Sequence, residues 1–132
     1  RQVVLNTDVP SQLINQGLPA ELLRQIVGAQ AGITLIALGE LTGWATLRQW
    51  GSPRRAELTT WLVHAPTLPY TDDIAASWGE ISAHATGRGR PQPQNDTWIA
   101  ACCLVYDLPL ATLHTKDSRD FAERGGLVVF GS

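Results

Sequence analysis

The segment Asn95–Leu113, NDTWIAACCLVYDLPLATL, constrains the architecture more than any other part of the chain. After Asn95, Asp96 and Thr97 come nine apolar residues without interruption, Trp98 to Tyr106. Periodicity alone allows a buried strand or a buried helix for such a run. Ala100, Ala101 and Leu104 favour helix, and the Asn-Asp lead-in suits a helix start, so the segment reads as helix. Asp107-Leu108-Pro109 breaks the run, and Leu110–Leu113 reads as a short buried strand. A helix that is apolar nearly all round must be covered, with a sheet on at least one side. Asp96 then stands where this helix meets solvent.

Working outward, Val3-Val4-Leu5 is a short strand ending at the polar residues Asn6, Thr7 and Asp8. Ser11–Asn15 reads as a first helix closed by Gly17, and Ala20–Val27 as a second, with Pro19 at its start and Gly28 at its end. Ile33–Ile36 reads as a second buried strand. From Ala37 a helix follows, with Leu38, Leu41, Trp44, Ala45 and Leu47 at helical spacing and Glu40 in its first turn. Ser52 is placed to cap the next helix, which carries Leu58, Trp61 and Leu62. Pro66–Tyr70 is too rich in proline for a central strand and reads as an edge strand. Thr71 or Asp72 caps a helix with the stripe Ile74, Trp78, Ile81 and Ala85. Residues 87–94, GRGRPQPQ, form a basic loop into the central segment. Near the end, Asp120–Arg124 reads as a short helix and Leu127–Phe130 as the last strand. Short strands alternating with helices predict one domain over residues 1–132, a three-layer α/β/α sandwich around a mostly parallel sheet.

The 132 residues carry a net charge of −2, which excludes general polyanion binding by bulk charge, while Arg48/Arg54/Arg55 and Arg88/Arg90 form local basic clusters. No apolar run reaches the roughly 18 residues of a membrane span, so no membrane association is expected. No secretory pattern opens the chain, which begins at Arg1 in the manner of a processed or trimmed protein. The only cysteines, Cys102 and Cys103, are adjacent and cannot staple distant segments. They read as small buried packing residues in a reducing, cytoplasmic protein.

The acids fall in a pattern. Asn6 and Asp8 follow the first strand, Glu40 the second, Asp117 and Asp120 the strand after the central helix, and Asp96 heads that helix. In an open parallel sheet, ligands bind beyond the carboxyl ends of the strands, so these residues converge on one acidic rim. Gathered carboxylates repel one another, and a hard cation such as Mg²⁺ resolves the repulsion and bridges to phosphate. Such a site suits phosphodiester hydrolysis. Taken singly, Asp96 reads equally well as a plain cap, Glu40 as a helix-dipole charge, and Asp117 and Asp120 as solvated loop charges, the last most readily.

Four segments carry a family resemblance across essentially the whole chain. VVLNTDV (3–9) resembles an opening strand of the form Leu-Leu-Asp-Thr-Asp/Asn-Val. ITLIALGEL (33–41) resembles a second strand leading into a Glu-Leu helix start. NDTWIAACCLVYDLPLATL carries an Asp-x-x-Ile-Ala-Ala helix and a Leu-Pro-Leu-x-Thr strand, and is the most specific match. TLHTKDSRDF (112–121) with GGLVVF (125–130) resembles a Thr-x-Asn-x-x-Asp-Phe segment and a final strand. The chain thus resembles PIN-domain ribonucleases of the VapC toxin type, from type II toxin–antitoxin systems. The resemblance implies a Mg²⁺- or Mn²⁺-dependent endoribonuclease whose catalytic and metal-holding quartet is Asn6, Glu40, Asp96 and Asp117. It also implies a VapB-type antitoxin laid across the acidic groove, and a homodimer. Asn6 stands where the family keeps its first Asp, and His114 where Asn or Asp is usual. An amide oxygen still ligates Mg²⁺ but brings no charge, so this chain is expected to be weakened or inactive. Asn6 fits either a change that silences a toxic nuclease or a PIN-like module that binds RNA or antitoxin without cutting. Asp8 would partly compensate if the strand ran on far enough to turn positions 6 and 8 to the same face.

Thr7, Thr112 and His114 are candidates for orienting carboxylates or water around a metal; a solvent-facing loop is an equal reading of His114. Arg88, Arg90 and Lys116 are candidates for RNA phosphates, against a plain solvated loop, and Lys116 for an ion pair with Asp117. Trp44 and Trp50 lie where a dimer or antitoxin would pack.

Overall fold

A computed structural model describes residues 1–15 and 17–131, the side chains of 13–15 aside. Four strands, β1 (Gln2–Leu5), β2 (Gln30–Gly32), β3 (Leu110–Ala111) and β4 (Val129–Phe130), form one sheet in the order β2-β1-β3-β4. All three pairings are parallel, with Val4 opposite Gly32 on one side and Leu110 on the other. Parallel neighbours need crossovers, and helices supply them: α1 (Asp8–Asn15) and α2 (Ala20–Ile26) between β1 and β2, then α3 (Leu35–Leu47), α4 (Ser52–Val63), α5 (Asp72–Gly87) and α6 (Gln94–Tyr106) before β3, and α7 (Arg119–Gly125) before β4.

Strand alternation divides the core between the two faces. Val3, Leu5 and Ala111 pack with Val9, Leu22, Ile33 and Ala37 on one face. Val4 and Leu110 pack with Ile99, Ala100, Cys103 and Phe121 on the other. The apolar run of α6 is accounted for by two coverings. Ile99, Ala100 and Cys103 meet the sheet, while Ala101 and Cys102 meet Ile74 of α5. Trp98 stacks on Trp78 at 4.7 Å between ring centroids. Both cysteines are free and buried, and burial pushes the Cys102 thiol up to about 11, as suits packing residues. Each fully buried aliphatic side chain here contributes about 1.5–3 kcal/mol.

Several expectations are corrected. The run Ile33–Ile36 is not a strand. The strand lies earlier, at Gln30–Gly32, and Thr34 caps α3 by accepting a hydrogen bond from the Ala37 amide at 3.0 Å. Capping contributes about 1 kcal/mol and outweighs the β-preference of the run. Glu40 therefore lies in the second turn of α3, not the first. Pro66–Tyr70 forms no edge strand beyond the single bridge Ile33–Thr67. Gly51, not Ser52, caps α4. Thr71 caps α5 as expected, accepting from the Ile74 amide. Helix α6 starts at Gln94 after Pro93 with no side-chain cap, so neither Asn95 nor Asp96 is spent as one. The two final strands are two residues each, shorter than their apolar runs. Trp50 is 7% exposed and packs with Leu41, Ala45 and Leu58 between α3 and α4, so it serves the core and not an interface.

Two backbone positions close the architecture near the strand ends. Gly126 ends α7 in the left-handed region at φ 78°, where a side chain is strained. Gly131, at φ 140°, passes so close to the Thr112 carbonyl that a Cβ would stand 2.2 Å from its oxygen.

Candidate active site

The acidic rim is built from five elements. Asn6 follows β1, and its backbone N–H donates to the Ala111 carbonyl at 2.9 Å, continuing the β1–β3 ladder by one residue. Strand β1 ends at Leu5, short of the length at which alternation would turn positions 6 and 8 to one face; Asp8 reaches the rim instead as the first residue of α1. Glu40 comes from α3, Asp96 from the first turn of α6, and Asp117 from a 3₁₀ turn, Thr115–Ser118, after β3.

Asp96 is half-buried, and its carboxyl is raised above the ordinary carboxylate range, first by burial and then by the charges of Glu40, Asp117 and Asp8. Three acids from three other elements thus act on Asp96 together. The Thr7 hydroxyl, from a buried residue, donates to Glu40 Oε1 at 2.7 Å, and Asn95 Nδ2 donates to Glu40 Oε2 at 3.4 Å. Thr112 is fully buried. Its hydroxyl accepts from Asn6 Nδ2 at 3.1 Å and from the His114 amide at 3.3 Å, and donates to Asp8 Oδ2 at 3.2 Å. The Leu113 amide also donates to Asp8 Oδ2, at 3.3 Å. Asp8 Oδ1 is buried with no hydrogen-bond partner. Burial raises the Asp8 carboxyl, and its bonds to Thr112 and Leu113, the charge of His114 and the Asn6 side chain offset part of that rise.

All donors on this rim are oxygen, which suits a hard divalent cation, and the orphaned Asp8 oxygen and crowded Asp96 are what such a cation would relieve. Among the described residues, no three His, Cys, Asp or Glu side chains already stand close enough to hold an ion. Mg²⁺ keeps several waters and takes one or two carboxylates, so a preformed cage is not required.

Residues beside the rim are distributed differently from the sequence reading. Arg88 is not free for phosphate, because its guanidinium pairs with Asp120 at 2.7 Å. Asp120 is accordingly no solvated loop charge. Lys116 makes no ion pair with Asp117 among the described residues. Arg90, Gln92, Lys116 and Arg119 line a cleft of about 230 Å³ with Asp120 and Glu123. Arg119 was not singled out in the sequence. Its only signal there was the position two residues after Asp117.

No protein-family profile matches the sequence, and no curated protein matches it. The fold does have solved counterparts. It superposes on a chain of VapBC2 from Rickettsia felis bound to a promoter DNA fragment, with TM-score 0.83, 18% identity and coverage of 100% of this chain and 99% of that one. The chain has the PIN-like fold of VapC-type toxins. VapBC-1 from nontypeable Haemophilus influenzae gives TM-score 0.83 at 19% identity, covering 99% and 98%. VapBC-5 of Mycobacterium tuberculosis, a member of the VapBC family of toxin–antitoxin systems, gives 0.74 at 25% identity, covering 99% and 98%. In this PIN-like fold the acidic rim lies beyond the carboxyl ends of β1 and β3. No described helix is long and apolar enough to cross a membrane.

Proposed function

We propose that this chain is the toxin of a type II toxin–antitoxin pair, an endoribonuclease dependent on Mg²⁺ or Mn²⁺. The observation that supports it most is Asp96, half-buried at the mouth of α6 with Glu40, Asp117 and Asp8 all in its field. Asp96, Glu40 and Asp117, with the Asn6 amide oxygen, would hold the cation. When bound, it would ease deprotonation of water and compensate charge at the scissile phosphate and leaving oxygen. The chain's own residues do the rest. Thr7 fixes one oxygen of Glu40, and Thr112 fixes Asn6 and Asp8, so the carboxylates need no reorganisation when substrate arrives. Arg90, Lys116 and Arg119 hold the RNA backbone beside Asp117 as point charges and forks on phosphate. An amide at position 6 lowers the rate without emptying the site. The partner is a VapB-type antitoxin covering the acidic rim, and the toxin pairs with a second copy of itself.

The test is RNA cleavage with Mg²⁺ or Mn²⁺, the chain beside its Asn6→Asp variant. The expected result is slow cleavage by the chain, faster cleavage by the variant, and none in EDTA. A rate that Asn6→Asp leaves unchanged would overturn the role given to position 6. The uncharged Asn6 and the absence of a preformed ion cage among the described residues favour a second reading, a PIN-like module that binds RNA or antitoxin without cutting. RNA binding that persists in EDTA, with no cleavage by either protein, would select it.

The basic cleft makes a separate prediction. Replacing Lys116 and Arg119 together by Ala is expected to weaken RNA binding about equally for all sequences. It should also flatten the plot of log affinity against log salt by roughly 1.4, about 0.7 for each single-strand phosphate left without its cation. A salt titration by fluorescence anisotropy measures this. Arg88→Ala should leave that slope unchanged, because Arg88 is held by Asp120.

A further inference from the structure

The reading above leaves the cation site with three carboxylates and one amide. We infer that Asp8 supplies the missing negative charge, so that positions 6 and 8 act as a pair in which the amide and the acid are joined through Thr112. This rests on the reading of the rim as a divalent-cation site.

Three observations on Asp8 carry it. The Thr112 hydroxyl takes a hydrogen from Asn6 Nδ2 and gives its own to Asp8 Oδ2, so the two side chains are tied to one buried atom. That hydroxyl has one proton, and the Leu113 amide supplies the second donor to the same Asp8 oxygen. Asp8 Oδ2 is therefore satisfied, while Oδ1 is buried and accepts no hydrogen bond, with the Asn6 side chain and the His114 charge beside the same carboxyl. A buried carboxylate oxygen without a partner is costly unless a cation or a proton answers it. Third, Asp8 is the smallest of the three charges that raise the Asp96 carboxyl, so the two acids share one field. A plain cap of α1 would account for none of the three, since no bond from Asp8 to an α1 amide exists among those described. Asp8 is a positioning residue here. It acts on the ion by its charge and through Asn6, and needs no direct contact with substrate.

The experiment measures Mn²⁺ binding, by titration calorimetry and by the loss of the free-ion electron paramagnetic resonance signal. It uses the full chain, D8N, N6D, the exchange N6D/D8N, and D96N as the reference for the site itself. Asn at position 8 keeps the shape and still accepts from Leu113, so the variant is expected to fold; a circular dichroism melt checks this. D8N should weaken Mn²⁺ binding at least about tenfold, the lower end of what outer groups contribute at metal sites. The exchange, which keeps the number of carboxylates, should return affinity to within about threefold of the native chain, roughly half a logarithmic unit. Affinity in D8N within about twofold of native, with D96N abolishing binding, would overturn the inference and leave the cation site standing. Mn²⁺ binding that neither D96N nor D8N alters would overturn the cation site itself.

Discussion

Asp96→Asn is expected to remove RNA cleavage and, at the same time, to stabilise the metal-free protein. The first effect should be on the order of 10²–10³-fold in rate, the size that follows loss of a group compensating charge in the transition state. The second comes from the same crowding. Asp96 is raised by burial and by Glu40, Asp117 and Asp8, so its ionised form is less favourable folded than unfolded. A carboxyl raised in this way gives its full stability below its unfolded value, near the ordinary 3.8, and loses it as pH rises through the folded value. Asn carries no such loss. The stability gap between variant and native chain should therefore be absent at low pH, open as pH rises above 3.8, and be largest near neutrality. The side chain is only half-buried and solvent screens it, so the gap should be modest. Thermal melts across that pH range in EDTA measure it. Added Mn²⁺ should stabilise the native chain and not the variant, reversing their order. A variant that melts below the native chain in EDTA at neutral pH would contradict the crowding on which the site is argued.

Thr112→Val is expected to damage both stability and activity, and Thr112→Ser to restore most of each. Thr112 is fully buried and its hydroxyl serves three neighbours: Asn6, Asp8 and the His114 amide. Valine fills the same space, so the effect isolates the hydroxyl from packing. It leaves the Asp8 carboxylate with one donor fewer and the Asn6 amide without its acceptor. Hydrogen bonds to charged groups contribute about 1.5–3 kcal/mol, and orphaned neutral donors cost about 1–3, so a loss of roughly 2–4 kcal/mol is expected. A urea melt should show this as a lower midpoint at unchanged slope, since the folded and unfolded surfaces are alike. Cleavage should fall about 10–100-fold, as when groups that orient metal ligands are removed. Serine keeps the donor and acceptor and loses only a methyl. Equal damage from serine and valine would show that the methyl contact, not the hydroxyl, holds the rim together.

Much of this was legible in the chain itself because the signals are local. The run Trp98–Tyr106 with Ala at its centre is a helix buried on two sides whatever surrounds it. Val3–Leu5 followed by Asn6-Thr7-Asp8 is a strand that stops at polar residues. Thr71 three residues before Ile74 caps its helix by the reach of one side chain. Misreadings fell where local preference competed with something distant. The β-branched run at Ile33 lost its strand to the cap at Thr34, while Gln30–Gly32, with weak preference of its own, became a strand because β1 offered it a partner. Asp120 looked solvated because its partner, Arg88, lies 32 residues away.

The amino-acid sequence by itself determined the alternation of helices and strands, the mostly parallel sheet it implies, and the polar residues Asn6, Thr7 and Asp8 that stop the first strand. Those follow from periodicity, capping and connection length, all of which act over a few residues. Only the tertiary structure decided which groups meet. It tied Asp8 and Asn6 to one Thr112 hydroxyl, gave Glu40 to Thr7 and Asn95, and withdrew Arg88 from the basic cleft while adding Arg119. A hydrogen bond between residues about a hundred positions apart, such as Asn6 to Thr112, leaves no trace in local pattern. It exists because β1 and β3 lie side by side, and the charge and burial of each acid are set by that packing.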